Sequence, residues 1–276
     1  MRKESELKRP IVSFIILTNL IFWPLFLLVG TTLMLGLPKI VFDIMLCIAS
    51  WSSTFAFILL FRKIYPGQSF TTYVKERFKN RLNFSIVTVV VCIQVLLAIV
   101  VLVIITSKND GTSSSLTISS FGMLLYLFFT TLFAGPLGEE LGWRGFALNE
   151  LQKKYSPLRA SVTLGFWWGI WHLPVWFTTG FIGVTLIEYI VFFMIAIISI
   201  SIIITAFYNL NKNLLIPIII HQLFNFLMVI INGNVIELLK YYAILYFVVA
   251  IMLIVLNPKK VLFGKEATKM INGHLH

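Results

Sequence analysis

Six polar side chains in the apolar C-terminal half of this sequence carry groups that can move or hold protons. They are two adjacent carboxylates, a guanidinium, two imidazoles and an amide: Glu139, Glu140, Arg144, His172, His221 and Asn225. Polar groups are costly at membrane depth, and ionisable ones there mark a functional site by default. A lone histidine could be hydrogen-bonded between helices, but two histidines with a carboxylate pair and an amide are hard to explain by packing.

The spacing of these residues predicts which of them act together. Glu140 and Arg144 are four residues apart, as are His221 and Asn225, so each pair projects from one helical face. Two adjacent carboxylates discourage simultaneous ionisation unless a cation is nearby. We therefore expect Arg144 to hold Glu140 as an anion and to leave Glu139 free as a proton acceptor.

The elements that position these groups must be membrane helices. Of the 276 residues, 59% are hydrophobic and 12% charged, about half the charged fraction of a soluble domain. A helix needs about 20 mostly apolar residues to cross the hydrocarbon core. The apolar runs thus predict an all-α fold, a polytopic transmembrane helical bundle of about eight helices. The predicted spans are Ile11–Leu35, Val41–Phe61, Phe84–Thr106, Phe121 to about Gly138, Ala160–Phe177, Val184–Tyr208, Leu214–Ile231 and Leu239–Leu256.

Lys and Arg residues are distributed unevenly between the two sides of this bundle. With the N-terminus in the cytoplasm, 19 of the 22 lie in cytoplasmic segments, and only Lys39, Lys108 and Lys240 lie in outer loops. Cytoplasmic loops of membrane proteins are enriched in Lys and Arg. The pattern predicts a multi-pass cell-membrane protein with both termini in the cytoplasm. The net charge of +11 then fits anionic lipid headgroups rather than nucleic acid.

The chain divides into three predicted parts. Residues 1–120 hold three membrane helices and a basic cytoplasmic loop, residues 121–233 form the core with all six polar residues, and residues 234–276 add the last helix and a basic tail. Within the basic loop, Thr71–Asn83 is expected to be either an interfacial helix or a solvated loop. Cys47 and Cys92 lie in apolar runs, which favours packed thiols over a disulfide.

This topology lets the polar residues meet. At 1.5 Å per residue, His172 lies about 18 Å and His221 about 12 Å along their helices from the cytoplasmic end, which Glu139 approaches from the opposite direction. We expect them to meet in the cytoplasmic half of the bundle, in a pocket that faces the cytoplasm. Three prolines flank these segments and can bend their helices: Pro136, Pro174 and Pro217.

Three motifs in this region resemble those of the CAAX-processing and bacteriocin-processing (Abi) family of intramembrane proteases. The first, at 139–144, reads E-E-L-G-W-R and resembles E-E-x-x-x-R; the second, at 168–172, reads W-G-I-W-H and resembles F-x-x-x-H; the third, at 221–225, reads H-Q-L-F-N and resembles H-x-x-x-N. Their order and spacing agree with the family over residues 121–233. Trp168 replaces the usual Phe, and we expect this aromatic exchange to touch no catalytic group.

The resemblance implies hydrolysis of a peptide bond in a membrane-associated peptide or protein, such as a prenylated or bacteriocin-like peptide. Glu139 and His172 would activate a water molecule as general base and orienting partner. His221 and Asn225 would stabilise the oxyanion. In a second version of the mechanism, Glu139, His172 and His221 bind Zn²⁺. The sequence leaves the zinc and metal-free versions open, although the zinc motif H-E-x-x-H is absent.

Two other functions are compatible with a membrane bundle of this kind. A non-catalytic scaffold or bacteriocin self-immunity protein of the same fold would have lost at least one motif position, whereas all are present. A proton-coupled transporter could use the same carboxylate and histidines as a relay. A transporter often shows inverted repeats or paired broken helices, and the two halves of this sequence show no correspondence.

Overall fold

The computed structural model describes residues 7–108 and 116–263. Within these ranges the chain is helical, and its β-structure is limited to an isolated bridge between Leu116 and Ile231. The predicted all-α class is therefore confirmed. Four of the Lys and Arg residues counted above, and two of the four histidines of the chain, lie outside the described ranges. They are Arg2, Lys3, Lys265, Lys269, His274 and His276.

Thirteen α-helices and one π-helix are assigned in chain order within the described ranges. They are α1 (Pro10–Met34), α2 (Lys39–Ser50), α3 (Ser52–Ile64), α4 (Phe70–Arg77), α5 (Phe84–Lys108), α6 (Phe121–Phe133), α7 (Pro136–Glu140), the π-helix (Leu141–Leu148), α8 (Asn149–Gln152), α9 (Pro157–Trp171), α10 (Leu173–Phe177), α11 (Gly183–Asn211), α12 (Leu215–Ile230) and α13 (Val235–Leu256). A 3₁₀ turn, Pro258–Lys260, follows α13. Helix α11 packs most extensively, against α9 and α13.

Six of the eight predicted spans correspond to helical segments long and apolar enough to cross a membrane. These are Pro10–Met34, Lys39–Ile64, Phe84–Lys108, Phe121–Gln152, Gly183–Asn211 and Val235–Leu256. The predicted seventh span is the shorter α12, whose 16 residues extend about 24 Å. The polytopic bundle is confirmed with six candidate spans, and the predicted fifth and seventh spans correspond to shorter helices.

Breaks in the helices lie next to the polar residues. The predicted fourth span is interrupted at Ala134 and Gly135, and Pro136 then starts α7. The predicted fifth span is divided, because α9 ends at Trp171 and a new short helix begins at Leu173. Proline lacks a backbone N–H and is favoured in the first helical turn, which explains why Pro136 and Pro174 start new helices. Pro217 lies inside the first turn of α12 without breaking it.

The bundle has a basic end, where most cationic side chains gather. Hydrogen bonds join its loops: the Tyr73 hydroxyl donates to the Gly145 carbonyl at 2.7 Å, and the Asn213 amide donates to Phe78 O at 3.3 Å. Burial raises the pKa of Tyr73 to about 12, so its hydroxyl stays protonated. Fourteen described cations lie at this end: Lys8, Arg9, Arg62, Lys63, Lys75, Arg77, Lys79, Arg81, Lys153, Lys154, Arg159, Lys212, Lys259 and Lys260.

The opposite end carries three described cations, and each one is paired with a carboxylate. Lys39 Nζ lies 2.8 Å from Asp43, Lys108 Nζ lies 3.0 Å from Glu237, and Lys240 Nζ lies 3.2 Å from Glu188. The described residues of this end therefore balance in charge, whereas the basic end carries a large excess.

The interfacial segment is helical in part. Of the predicted Thr71–Asn83 region, the portion up to Arg77 belongs to α4, and the rest forms no regular helix. Helix α4 packs on the π-helix at the basic end. The two cysteines are free, as expected from their positions in apolar helices.

Residues of the N-terminal part support the core directly. The π-helix and α3 approach so closely that a Cβ added to Gly142 would lie 2.6 Å from the Ser53 carbonyl oxygen. The rings of Phe57 and Phe146 stack with their centres 4.8 Å apart, and both are fully buried. The E-E-x-x-x-R segment is thus fixed by packing on a helix that carries no motif of its own.

Candidate active site

The six polar residues come from four short stretches of helix. Glu139 and Glu140 end α7, and Arg144 lies in the π-helix that follows. His172 caps the C-terminus of α9 at the break before Leu173. The remaining two, His221 and Asn225, lie one turn apart on α12.

Glu140 is the meeting point of the buried charges. Its Oε1 lies 2.8 Å from Arg144 Nη1 and 2.8 Å from His221 Nδ1, and the exposed fraction of the Glu140 and Arg144 side chains is 0%. The expected contact between Glu140 and Arg144 is therefore present. The contact with His221 was not predicted. It attaches α12 to the end of α7 through a carboxylate that also pairs with Arg144.

Trp168 touches four titratable groups of the cluster, Glu139, Arg144, His172 and His221. Its indole N–H donates a 2.7 Å hydrogen bond to Glu139 Oε2. The Arg144 guanidinium carbon lies 4.0 Å from the indole centre, a cation–π contact. The rings of His221 and His172 meet it edge-on, with centres 5.0 and 5.9 Å away. The expectation that Trp168 touches no catalytic group is wrong, because Trp has an N–H donor that Phe lacks.

The geometry determines which nitrogen of His172 carries the proton when the ring is neutral. Its Nδ1 lies 2.8 Å from the Trp168 carbonyl oxygen. A carbonyl oxygen can only accept a hydrogen bond, so Nδ1 is the donor. The lone pair of the neutral ring is then on Nε2, where the ring can accept a proton.

Asn225 and the second carboxylate oxygen of Glu139 both lie close to Gly135. A Cβ added to Gly135 would lie 2.9 Å from Asn225 Nδ2 and 3.9 Å from Glu139 Oε1. Glycine at this position therefore leaves room for both side chains. Glu139 Oε2 is bonded to Trp168, which leaves Oε1 on the Asn225 side as the oxygen without that partner.

The backbone around the first motif is held by side chains from neighbouring elements. The Ser53 hydroxyl donates to Glu139 O at 3.1 Å, and the Asn149 amide donates to Arg144 O and Gly145 O at 2.8 and 3.0 Å. A π-helix is rare and is frequently found at functional sites. Here the π-helix continues α7 through Arg144 with wider turns, and Glu140 and Arg144 still project from one face, as their spacing predicted.

A cavity of about 640 Å³ lies next to this cluster, with Asn225 and Ala134 in its wall. Its lining is mostly apolar and comes from α2, α6, α11, α12, α13 and the segment between the last two. It reaches the surface at Lys39, Asn232 and Val235, which are all exposed and lie at the end opposite the basic one. This differs from the expected pocket, which was to face the basic, cytoplasmic end.

The proposed zinc ligands do not form a metal site. Among the residues that the structure describes, no three His, Cys, Asp or Glu side chains are grouped so that they could hold a metal ion. The zinc set of Glu139, His172 and His221 therefore does not fit this arrangement.

The buried ion pair yields a prediction about stability. We expect Arg144→Met to lower the free energy of unfolding by about 3–5 kcal/mol, because it leaves the Glu140 carboxylate buried without its cation. The double variant Glu140→Gln/Arg144→Met should recover much of this loss, since it removes both charges. The temperature at which each detergent-purified variant aggregates ranks the stabilities of the parent, the single variant and the double variant. A double variant less stable than Arg144→Met alone would contradict this account.

The part of the chain that carries this cluster is similar to known proteins. Residues 119–227, which contain all six polar residues, match the family described as Type II CAAX prenyl endopeptidase Rce1-like. The chain is also similar to a curated protein named CAAX prenyl protease 2, from Methanococcus maripaludis, with 32% identity over 176 residues. The match covers 59% of this chain, and the chain spans 65% of the length of that relative. Both similarities are to the kind of protease that the three motifs resemble.

Proposed function

We propose that this protein is an intramembrane endopeptidase that hydrolyses a peptide bond of a membrane-associated peptide. The observation that carries the proposal is the grouping of Glu139, His172 and His221 around one indole, beside a cavity whose wall includes Asn225. The match to a prenyl endopeptidase family supports the reaction type. By analogy with the relative's name, the substrate class is a prenylated peptide with a C-terminal CAAX sequence.

The proposed base is the carboxylate of Glu139. Its Oε2 is held by Trp168, so Oε1 can take a proton from a water molecule on the Asn225 side. His172 offers Nε2 as a second acceptor, because its Nδ1–H is held by the Trp168 carbonyl. The two acceptors would orient and polarise the attacking water.

The proposed oxyanion donors are Asn225 and His221. The Asn225 amide can donate directly. His221 can donate from Nε2 only when its ring carries both protons, with Nδ1–H held by the Glu140 carboxylate. Two carboxylates, Arg144 and a protonated His221 together have no net charge, which lowers the cost of burying them.

Replacing the proposed base gives the most direct test. We expect Glu139→Gln to lower kcat by about 10²–10⁴-fold, the usual contribution of a general base, while the protein still inserts and folds. The assay is hydrolysis of a farnesylated CAAX peptide by purified protein. Glu188→Gln is the matched control, because Glu188 is paired with Lys240 at the opposite end. Equal activity of Glu139→Gln and the parent would show that Glu139 is not the base.

The Trp168 hydrogen bond should position that base. We expect Trp168→Phe to lower kcat by about 10–100-fold at nearly constant KM, since a hydrogen bond to a charged group contributes about 1.5–3 kcal/mol. Trp176→Phe is the matched control, because Trp176 is also buried but its indole nitrogen has no hydrogen-bond partner among the described residues. A loss of thermal stability without a change in kcat would assign Trp168 to packing alone.

Removal of metal ions distinguishes the metal-free mechanism from the zinc-dependent one. We expect dialysis against a zinc chelator to leave hydrolysis of the farnesylated peptide unchanged, because the acidic and imidazole groups are not arranged as metal ligands. The measurement is activity alongside the metal content of the same sample. Activity that is lost on chelation and restored by added Zn²⁺ would contradict the metal-free version.

A further inference from the structure

Trp51 lies at the junction of α2 and α3 and contacts the segment that leads to Glu139. Its indole N–H donates a 3.0 Å hydrogen bond to the carbonyl oxygen of Phe133, the last residue of α6. The last turn of a helix leaves carbonyl groups that need donors from outside the helix. Trp51 supplies such a donor at the point where the predicted fourth span is interrupted.

The ring of Trp51 also packs directly on Gly138, the residue before Glu139. A Cβ added to Gly138 would lie 2.7 Å from Cγ and 2.8 Å from Nε1 of Trp51, and closer still to Cδ1. An ordinary contact between carbon atoms is about 3.5–4.0 Å long, so only glycine accommodates the ring in this position. The indole therefore holds the segment before Glu139 by a hydrogen bond at one end and by packing at the other.

The backbone that carries Trp51 is itself held by the two serines that follow it. The Ser53 hydroxyl donates to Glu139 O at 3.1 Å, and Ser52 Oγ accepts a 3.1 Å hydrogen bond from the indole N–H of Trp171. Both serines are fully buried. Because these bonds join α3 to α7 and α9, the base of the Trp51 side chain has little freedom to withdraw.

Glu139 depends on such contacts because α7 is too short to hold its own position. This helix has five residues, Pro136–Glu140, and isolated helices shorter than about 12 residues are marginal without tertiary packing. A displacement of α7 carries the Glu139 carboxylate with it. A misplacement of about 1 Å can lower the rate of an enzyme reaction by about 10²-fold.

We propose that Trp51 is a positioning residue for the proposed reaction, and that it sets the place of the Glu139 carboxylate through Gly138 and Phe133. This inference rests on the proposed endopeptidase function, in which Glu139 is the base. Trp51 lies outside residues 119–227, which match the protease family. The N-terminal part of the chain thus contributes to the site through a side chain that belongs to none of the three motifs.

Substitutions of Gly138 and Trp51, alone and together, test this role. We expect Gly138→Ala to lower kcat by about 10²-fold at nearly constant KM, because the added methyl group pushes α7 away from the indole. Trp51→Ala should lower kcat by only about fivefold, roughly the effect of one lost neutral hydrogen bond. The double variant Gly138→Ala/Trp51→Ala should return to the kcat of Trp51→Ala, since the smaller side chain removes the overlap.

Two controls separate the overlap from other effects of these substitutions. Gly138→Ala/Trp51→Phe should stay as slow as Gly138→Ala, because a Phe ring keeps carbon atoms at the positions of Cγ and Cδ1. Gly122→Ala, in the same predicted span, should leave kcat unchanged, because a Cβ there would lie 3.8 Å from Ser120 Oγ, an ordinary contact. The assay is hydrolysis of the farnesylated peptide, well below the temperature at which any variant aggregates.

A normal kcat in Gly138→Ala would overturn the proposal, and so would a double variant with Trp51→Ala that is no faster than Gly138→Ala. Aggregation temperatures that follow the expected pattern while kcat does not change would assign Trp51 to packing alone. A parent protein without peptidase activity would refute the proposed function. The aggregation temperatures would then still decide whether Trp51 is seated on Gly138: relief by Trp51→Ala but not by Trp51→Phe supports this contact, and equal relief by both contradicts it.

Discussion

The buried contact between Glu140 and Arg144 is the constraint on which the centre of this bundle depends. Two charges at 0% exposure are tolerable only when they stay paired and when neighbouring groups compensate their lost hydration. Here the compensation comes from His221 on one side of the pair and from the face of Trp168 on the other. The pair therefore fixes the positions of α9 and α12 relative to the π-helix, and with them the positions of His172 and Asn225.

Much of the fold followed from composition and spacing. Long apolar runs predicted the membrane helices, because a bilayer accepts few other structures. The four-residue spacing predicted the contact between Glu140 and Arg144, because the pair stays on one face even where the helix widens into a π-helix. Convergence of the motif helices followed from the high cost of isolated polar groups in lipid. The three motifs also indicated the resemblance to the family that residues 119–227 match.

The remaining features depend on three-dimensional detail that spacing does not encode. Two adjacent carboxylates point about 100° apart on a helix, so the sequence could not show that His221 contacts Glu140 while Trp168 contacts Glu139. The role of Trp168 was missed because an aromatic residue replacing another suggests packing, and only the direction of its N–H reveals the bond to Glu139. The direction of the cavity was missed because it depends on where neighbouring helices diverge.

The shortness of α12 has a consequence for the surrounding lipid. Its 16 residues extend about 24 Å, whereas the hydrocarbon core of a bilayer is about 30 Å thick. Mismatch of this kind is relieved by local thinning of the bilayer or by flanking polar groups that reach the interface. At its C-terminal end, α12 is followed by the polar residues Asn232 and Asn234. Headgroups and water drawn down along this flank would shorten the apolar path that an incoming peptide bond must cross.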